Sequence, residues 1–262
     1  MVKAILARVQ QKHRTMVYPD GAPPPLPDRF RGRPVVDAAR CPDGCRACCD
    51  ACPTGALDAG APGRIDLGKC LFCPECAAAC PRQAITFSGG HQLAARSRDA
   101  LVVPREGPPE TVLRAALDDK LKKLFGRSLK LRQVSAGGCN ACEADSNVLG
   151  TVGWDMGRFG IQFVASPRHA DGLLVTGPVS KNMELALKKT YDAVSEPRIV
   201  IAVGACAISG GPYIGREEVC NGASAVVPVD LHVPGCPPHP LTLLDGLLRL
   251  IGRVEERAAS GK

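Results

Sequence analysis

The sequence predicts a small, loop-dominated unit built on cysteines, followed by an α/β domain with a parallel sheet. Three observations predict it. Nine of the fourteen cysteines crowd into residues 41–80, in two arrays that each end in Cys-Pro. Turn residues then break the chain at Gly89, Gly90 and again at Pro104, Gly107, Pro108 and Pro109. Beyond Gly126, apolar runs of strand length alternate with helical periodicity, as buried parallel strands and their crossovers require. The expected division is an amphipathic helix and proline-rich arm over 1–34, the cysteine unit over 35–95, a linker and connecting helix over 96–126, and the α/β domain over 127–262.

At the amino end, Val2, Ile5, Leu6 and Val9 recur at helical spacing, with Lys3, Arg8, Lys12 and Arg14 around them. The apolar part is too short and interrupted for a signal peptide, and no small-residue cleavage site follows. Two readings stand: a helix lying on anionic lipid or a membrane subunit, and a helix docked on its own domain. The stretch YPDGAPPPLPDRFRGR, from Tyr18 to Arg33, is extended, because its prolines exclude helix past Ala22.

Cys70, Cys73, Cys76 and Cys80, with Pro81, match the C-x2-C-x2-C-x3-C-P run of bacterial four-iron ferredoxins. Three cysteines in a tight loop can each offer a thiolate to a different iron of one cubane, while the fourth is thrown outward to another cluster. Cys41, Cys45, Cys48 and Cys52, with Pro53, repeat the run with one extra residue in the first gap. Cross-ligation then gives one 4Fe-4S cluster on Cys41, Cys45, Cys48 and Cys80, and a second on Cys70, Cys73, Cys76 and Cys52. Short apolar stretches, Thr54–Leu57 and Gln83–Phe87, follow the two arrays, so one unit occurs twice. Disulfides are disfavoured by the lack of a secretory signal and by a cysteine density below that of disulfide scaffolds. Structural zinc uses cysteine pairs rather than a doubled four-cysteine run. Cys49 fits no ligand slot.

Glu110–Phe125 places Val112, Leu113, Ala116, Leu117, Leu121 and Leu124 on one face, with Gly126 as the stop, and predicts the connecting helix. Strands are then expected at Leu129–Val134, Ile161–Ala165, Gly172–Val175 and Arg198–Val203, a crossover helix at Met183–Val194 and a closing amphipathic helix at Leu241–Val254. In such sheets ligands sit at the carboxyl ends of the strands. The remaining cysteines fall there: Cys139 and Cys142 in SAGGCNACE, Cys206 in VGACAISGG and Cys236 in VPGCPPHP. Gly- and Pro-rich loops let backbone N–H groups approach a bulky cofactor, and four cysteines from three loops make one more cubane.

The net charge of +7 points weakly to nucleic acid, but the aromatics number only one Trp, three Tyr and six Phe, and no recognisable binding module carries a basic stripe. Three clusters, each with about two net negative charges, would offset most of the excess. No run of apolar residues is long enough to span a bilayer, so membrane association is expected to be peripheral. No P-loop or GxGxxG follows a strand, which excludes the common nucleotide sites.

The proline-rich arm ending in RFRG, followed by the double array, resembles the two-cluster ferredoxin-like subunit of respiratory complex I and of membrane-bound hydrogenases. The segment from Phe125 to Met183, with FGRSLKLRQV, GGCNACE and RFGIQFVASPRHADGLLVTGPVSKNM, resembles the small subunit of energy-converting, group 4 nickel-iron hydrogenases, homologous to the cluster-N2 subunit of complex I. The resemblance implies a flavodoxin-like fold, a proximal 4Fe-4S cluster on Cys139, Cys142, Cys206 and Cys236, and an arm wrapped over partner subunits. The same arm also reads as a rigid linker. In the quinone-reducing branch the first two ligands are adjacent; here Asn140 and Ala141 separate them, as in hydrogenases. The family usually keeps the two parts as separate chains.

The resemblance further implies three 4Fe-4S clusters in an electron-transfer subunit on the cytoplasmic face of the membrane. Its partners would be a nickel-iron large subunit (complex I 49-kDa-like), membrane subunits, and a donor such as ferredoxin or a dehydrogenase subunit, with no catalysis by this chain alone. The rival readings are a complex I-like quinone or ferredoxin oxidoreductase subunit, a nickel-free relative, and a stand-alone ferredoxin-like carrier or redox sensor. Glu143 reads either as a proton carrier near the proximal cluster or as a first-turn carboxylate favoured by the helix dipole. His169 reads as a hydrogen-bonded loop anchor, Ser209–Gly211 as a turn clearing space beside Cys206, His239 as an outer neighbour of the cluster, and Cys220 as structural.

Overall fold

The computed structural model describes residues 2–12, 14–42, 44–58, 63–104 and 128–254. The expected helix over Glu110–Phe125 lies outside them. Helix α1, Val2–Gln11, opens the chain and buries none of its residues. The arm that follows lies along the protein. Thr15 Oγ1 donates to the Val152 carbonyl at 2.9 Å, the Met16 N–H to the Gly153 carbonyl at 3.0 Å, and Arg158 donates to the Met16 and Tyr18 carbonyls at 2.6 Å each.

The cysteine unit is held by two short antiparallel ladders. Strand β1, Pro34–Val36, pairs with β3, Ile85–Phe87; β2, Ile65–Asp66, pairs with β4, Val102–Val103. Two helical turns, α2 at Ala47–Asp50 and α3 at Glu75–Ala78, carry Cys48 and Cys76 into the interior. With so little regular structure, packing is done by Leu67 and Leu101, both fully buried, and by the Leu67 N–H donating to the Leu101 carbonyl at 2.9 Å. Arg98 closes this corner on both oxygens of Asp66, at 2.7 and 2.5 Å. Residues 98–103 therefore pack with the cysteine unit.

The second domain is a five-stranded, wholly parallel sheet: β5 Leu129–Ser135, β6 Ile161–Phe163, β7 Gly172–Thr176, β8 Ile199–Val203 and β9 Leu231–Val233, in the order β6-β5-β7-β8-β9. In domain numbering this is 2-1-3-4-5, the flavodoxin-like arrangement, with its reversal beside β5. Strands β7 and β8 are buried at every residue, which is why they read as unbroken apolar runs. β9 is not legible as an apolar run, because it is only three residues long and His232 separates its two apolar residues. Helices α4 (Ala141–Val148), α5 (Lys181–Asp192), α6 (Gly204–Ser209) and α7 (Pro240–Leu250) complete the domain.

Helix α7 departs from expectation: it is buried on every face rather than amphipathic, and it ends at Leu250. The amino-terminal arm covers its polar side. There Tyr18 donates its hydroxyl to Asp245 Oδ1, and Arg249 Nε donates to Asp245 Oδ2 at 2.8 Å. The cysteine unit covers another side, close enough that a Cβ on Gly246 would lie 2.8 Å from the Ala94 Cβ. A polar network replaces the water that this side would otherwise face.

Candidate metal centres

The two arrays repeat in structure as well as in sequence. After each Cys-Pro the chain turns through a left-handed residue, Gly55 (φ +60°) and Gln83 (φ +50°). In both turns the amide four residues on donates to the sulfur: Ala56 N–H to Cys52 Sγ at 3.3 Å and Ala84 N–H to Cys80 Sγ at 3.2 Å. Amides of Arg82, Gln83, Ala84 and Ile85 hold the Cys80 pKa below the ordinary thiol range, although burial acts the other way. That is how backbone dipoles favour a thiolate.

Two cavities lie among these cysteines. The first, with about 390 Å³ of empty space partly open to solvent, is lined by Cys41, Cys45, Cys48 and Cys80. The second, about 370 Å³, is lined by Cys52, Cys70, Cys73 and Cys76. Each thus takes three cysteines from one array and the last cysteine of the other. Val36, Ala84 and Ile85 wall the first, and Leu57, Ile65 and Phe87 the second. Burial pushes the Cys48 and Cys70 thiols up to about 12 and Cys76 up to about 11, and neighbouring cysteines add to each rise. Clustered thiolates in apolar surroundings need a cation to be stable. Cys49 lines neither cavity; its thiol is a partner of Cys48.

The third set lies at the carboxyl edge of the parallel sheet. Cys139 precedes α4 and Cys142 lies in its first turn, Cys206 lies in α6 just after β8, and Cys236 follows β9. Burial raises Cys206 to about 11 and raises Cys142 and Cys236, with the other cysteines of the set contributing to each shift. The Ala205 N–H donates to the Gly235 carbonyl at 2.8 Å, so the loops that carry Cys206 and Cys236 adjoin. Cys139 and Cys236 are exposed, so this site opens to the surface.

Two glycines make the room. A Cβ on Gly204 (φ +90°) would stand 2.6 Å from Cys142 Sγ, and one on Gly211 (φ +55°) 2.8 Å from Cys206 Sγ. The Ser209–Gly211 turn thus clears space beside Cys206. Gly204→Ala is expected to lose about a third of the bound iron, with the other two sites still filled. Iron analysis of the anaerobically purified variant checks this; full iron content would contradict it.

Glu143 is buried beside this site and accepts from Thr176 Oγ1 at 2.6 Å. Burial alone would raise its pKa, but hydrogen bonds from Ser135, Thr176 and its own backbone bring it below the ordinary carboxylate range. It is both a first-turn carboxylate and an interior one held by hydroxyls. His239 caps α7, its Nδ1 accepting from the Leu241 N–H at 3.1 Å, and is flanked edge-on by Phe30 and Trp154. His169 is exposed. Cys220 stands apart, donating to Glu184 Oε2 at 3.4 Å.

The two parts join through contacts between residues far apart in the chain. Phe30 packs on His239, three residues from Cys236, while the next residue, Arg31, donates to the Phe72 carbonyl at 3.2 Å, beside Cys73. Ser209 Oγ reaches the Gly68 carbonyl at 2.9 Å, and Ala95 forms a bridge with His232 of β9. Cys73 is near enough to help raise the Cys236 thiol. The second cavity and the third set are therefore neighbours. Among the described residues, no three Cys, His, Asp or Glu side chains converge on one point as a single ion requires. A four-iron cube instead needs thiolates spread around a space of its own size. All-thiolate sets around apolar cavities, with N–H groups aimed at sulfur, fit that donor chemistry.

A family model matches within the second domain. Residues 139–250 match the family model described as NADH ubiquinone oxidoreductase, 20 Kd subunit. The matched segment spans all four cysteines of the third set. Among solved structures, a chain of the membrane-bound sulfane sulfur reductase, an archaeal respiratory membrane complex, is similar at 29% identity with a TM-score of 0.45, covering 55% of this chain and 80% of that one. A chain of an NAD+-reducing [NiFe]-hydrogenase is similar at 22% identity with a TM-score of 0.40, covering 51% and 97%.

Proposed function

We infer that the chain is the electron-transfer subunit of a membrane-associated oxidoreductase complex, of the group 4 nickel-iron hydrogenase type. Three 4Fe-4S clusters would be held by Cys41, Cys45, Cys48 and Cys80; by Cys52, Cys70, Cys73 and Cys76; and by Cys139, Cys142, Cys206 and Cys236. When bound, such clusters supply one-electron transfer at potentials set by burial and by hydrogen bonds to sulfur. The rest is the chain's own work. Its cysteine turns aim N–H groups at the ligand sulfurs, its apolar walls exclude water, and its Phe30–Arg31 strap fixes one domain against the other.

The observation that carries this reading is the contact between the loops of Cys73 and Cys236, where Phe30 packs on His239 and Arg31 donates to the Phe72 carbonyl. It supports an order in which the Cys41 site lies outermost, the Cys70 site is central, and the Cys139 site opens at the surface toward a large subunit. A donor such as ferredoxin would deliver at the first, and the flow reverses when hydrogen is oxidised. Asn140 and Ala141 between the first two cysteines favour the hydrogenase branch over the quinone-reducing one. Glu143, buried beside the third set and held by Thr176, would be the group to pass a proton there if it carries one rather than only capping its helix.

Isolation from native membranes tests the reading. A complex is expected in which this chain accompanies a large subunit and hydrogen-dependent dye reduction is seen, while the chain alone is inactive. Isolation as a stable monomer that exchanges electrons with soluble carriers would favour the stand-alone carrier instead. A quinone-linked, nickel-free complex would favour the complex I-like reading.

A further inference from the structure

Helix α1 is the one amphipathic element whose apolar side meets nothing of this protein among the described residues. Val2 is 70% exposed, Ile5 61%, Leu6 54% and Val9 68%, and no residue of the helix is buried. Among the described residues, then, the helix is not docked on its own domain. At 3.6 residues per turn these four form one narrow stripe. Lys3 falls on one side of it and Arg8 and Lys12 on the other, with Ala4, Ala7 and Gln11 opposite. From Val2 to Val17 there is no acidic residue.

We propose that α1 lies in the headgroup region of an anionic lipid bilayer, with its apolar stripe inserted and its flanking cations on the phosphates. The arrangement is the one an interfacial helix uses, since long cationic side chains beside the stripe can reach headgroups while their stems stay apolar. Each such cation strengthens attachment to anionic lipid specifically. The attachment has a fixed base. Just past α1, Thr15 and Met16 bond to the backbone of residues 152 and 153, and Arg158 clamps Met16 and Tyr18. Val17 and Val152, each 69% exposed, add apolar surface at that base. Trp154 of the same loop packs edge-on against His239, so the base adjoins the loop that carries Cys236. The third cluster site would then lie at the end of the molecule nearest the bilayer.

This deepens the membrane-associated reading but needs no cluster and no large subunit, so the two fail separately. The full-length protein is sedimented with vesicles of phosphatidylcholine alone or mixed with phosphatidylglycerol, and its iron content is measured in parallel. About tenfold or more tighter binding to the mixed vesicles is expected, weakened by salt. Ile5→Glu with Leu6→Glu should abolish it, and Lys3→Gln with Arg8→Gln and Lys12→Gln should remove the preference for anionic lipid. Because α1 buries nothing, all these variants should keep wild-type iron. No binding to either vesicle, equal binding to both, or unchanged binding by the glutamate variant overturns the proposal. So does retention through α1 by a membrane protein in detergent without lipid binding.

Discussion

Cys52→Ala is expected to empty the site built mainly from the second array, and Cys80→Ala the site built mainly from the first. Each variant should lose about four iron and leave the other array's cluster spectroscopically intact. The structure makes this a crossed result. Cys52 shares its cavity with Cys70, Cys73 and Cys76, and Cys80 shares its cavity with Cys41, Cys45 and Cys48. Linear ligation within each array predicts the reverse assignment. Electron paramagnetic resonance of the reduced variants separates the two, because a cluster in the Cys52 cavity would be the one adjacent to the Cys236 site and should show magnetic coupling to it. Loss of that coupling on Cys52→Ala and its survival on Cys80→Ala is the expected outcome. The opposite pairing would sink crossed ligation.

The second large effect lies far from any cysteine. Asp245→Ala should destabilise the fold by about 3–5 kcal/mol, because it leaves the buried Arg249 guanidinium without its carboxylate. It also removes the acceptor of the Tyr18 hydroxyl, the contact that holds the arm to α7. For a chain of this size that is a fall in melting temperature of about 6–20 °C. Tyr18→Phe, which keeps the ion pair, should cost only about 1–3 kcal/mol. Burial, with Asp245 next, raises the Tyr18 pKa above its ordinary 10.0. The sign follows: this contribution is complete below pH 10 and is lost as pH climbs through the raised value. A Tyr18→Phe chain should therefore lose less stability than wild type in strong alkali. Equal melting temperatures for Asp245→Ala and wild type would contradict the account.

Much of this was legible in the sequence, and for a physical reason. Cysteine spacing is set by local loop geometry, so both arrays and their crossed cavities follow from chain positions alone. Fully buried strands such as β7 and β8 announce themselves as apolar runs, and the Gly-rich loops after β5 and β8 mark where a bulky group approaches the backbone. What escaped depends on contacts between distant segments. Asp245 and Arg249 looked like the wet side of an amphipathic helix because nothing local says that Tyr18 will cover them. Ser209 was legible as a turn beside Cys206 but not as the donor to the Gly68 carbonyl that ties the domains. The Phe30–Arg31 strap belongs to the same class: its partners, His239 and Phe72, lie far along the chain and in different domains.

The most direct measurement is the metal content of the anaerobically isolated chain, with acid-labile sulfide counted alongside. Iron and sulfide are expected in equal amounts, roughly twelve of each per chain, with little zinc. Zinc, disulfide bridges, or iron for only two cubanes would contradict it.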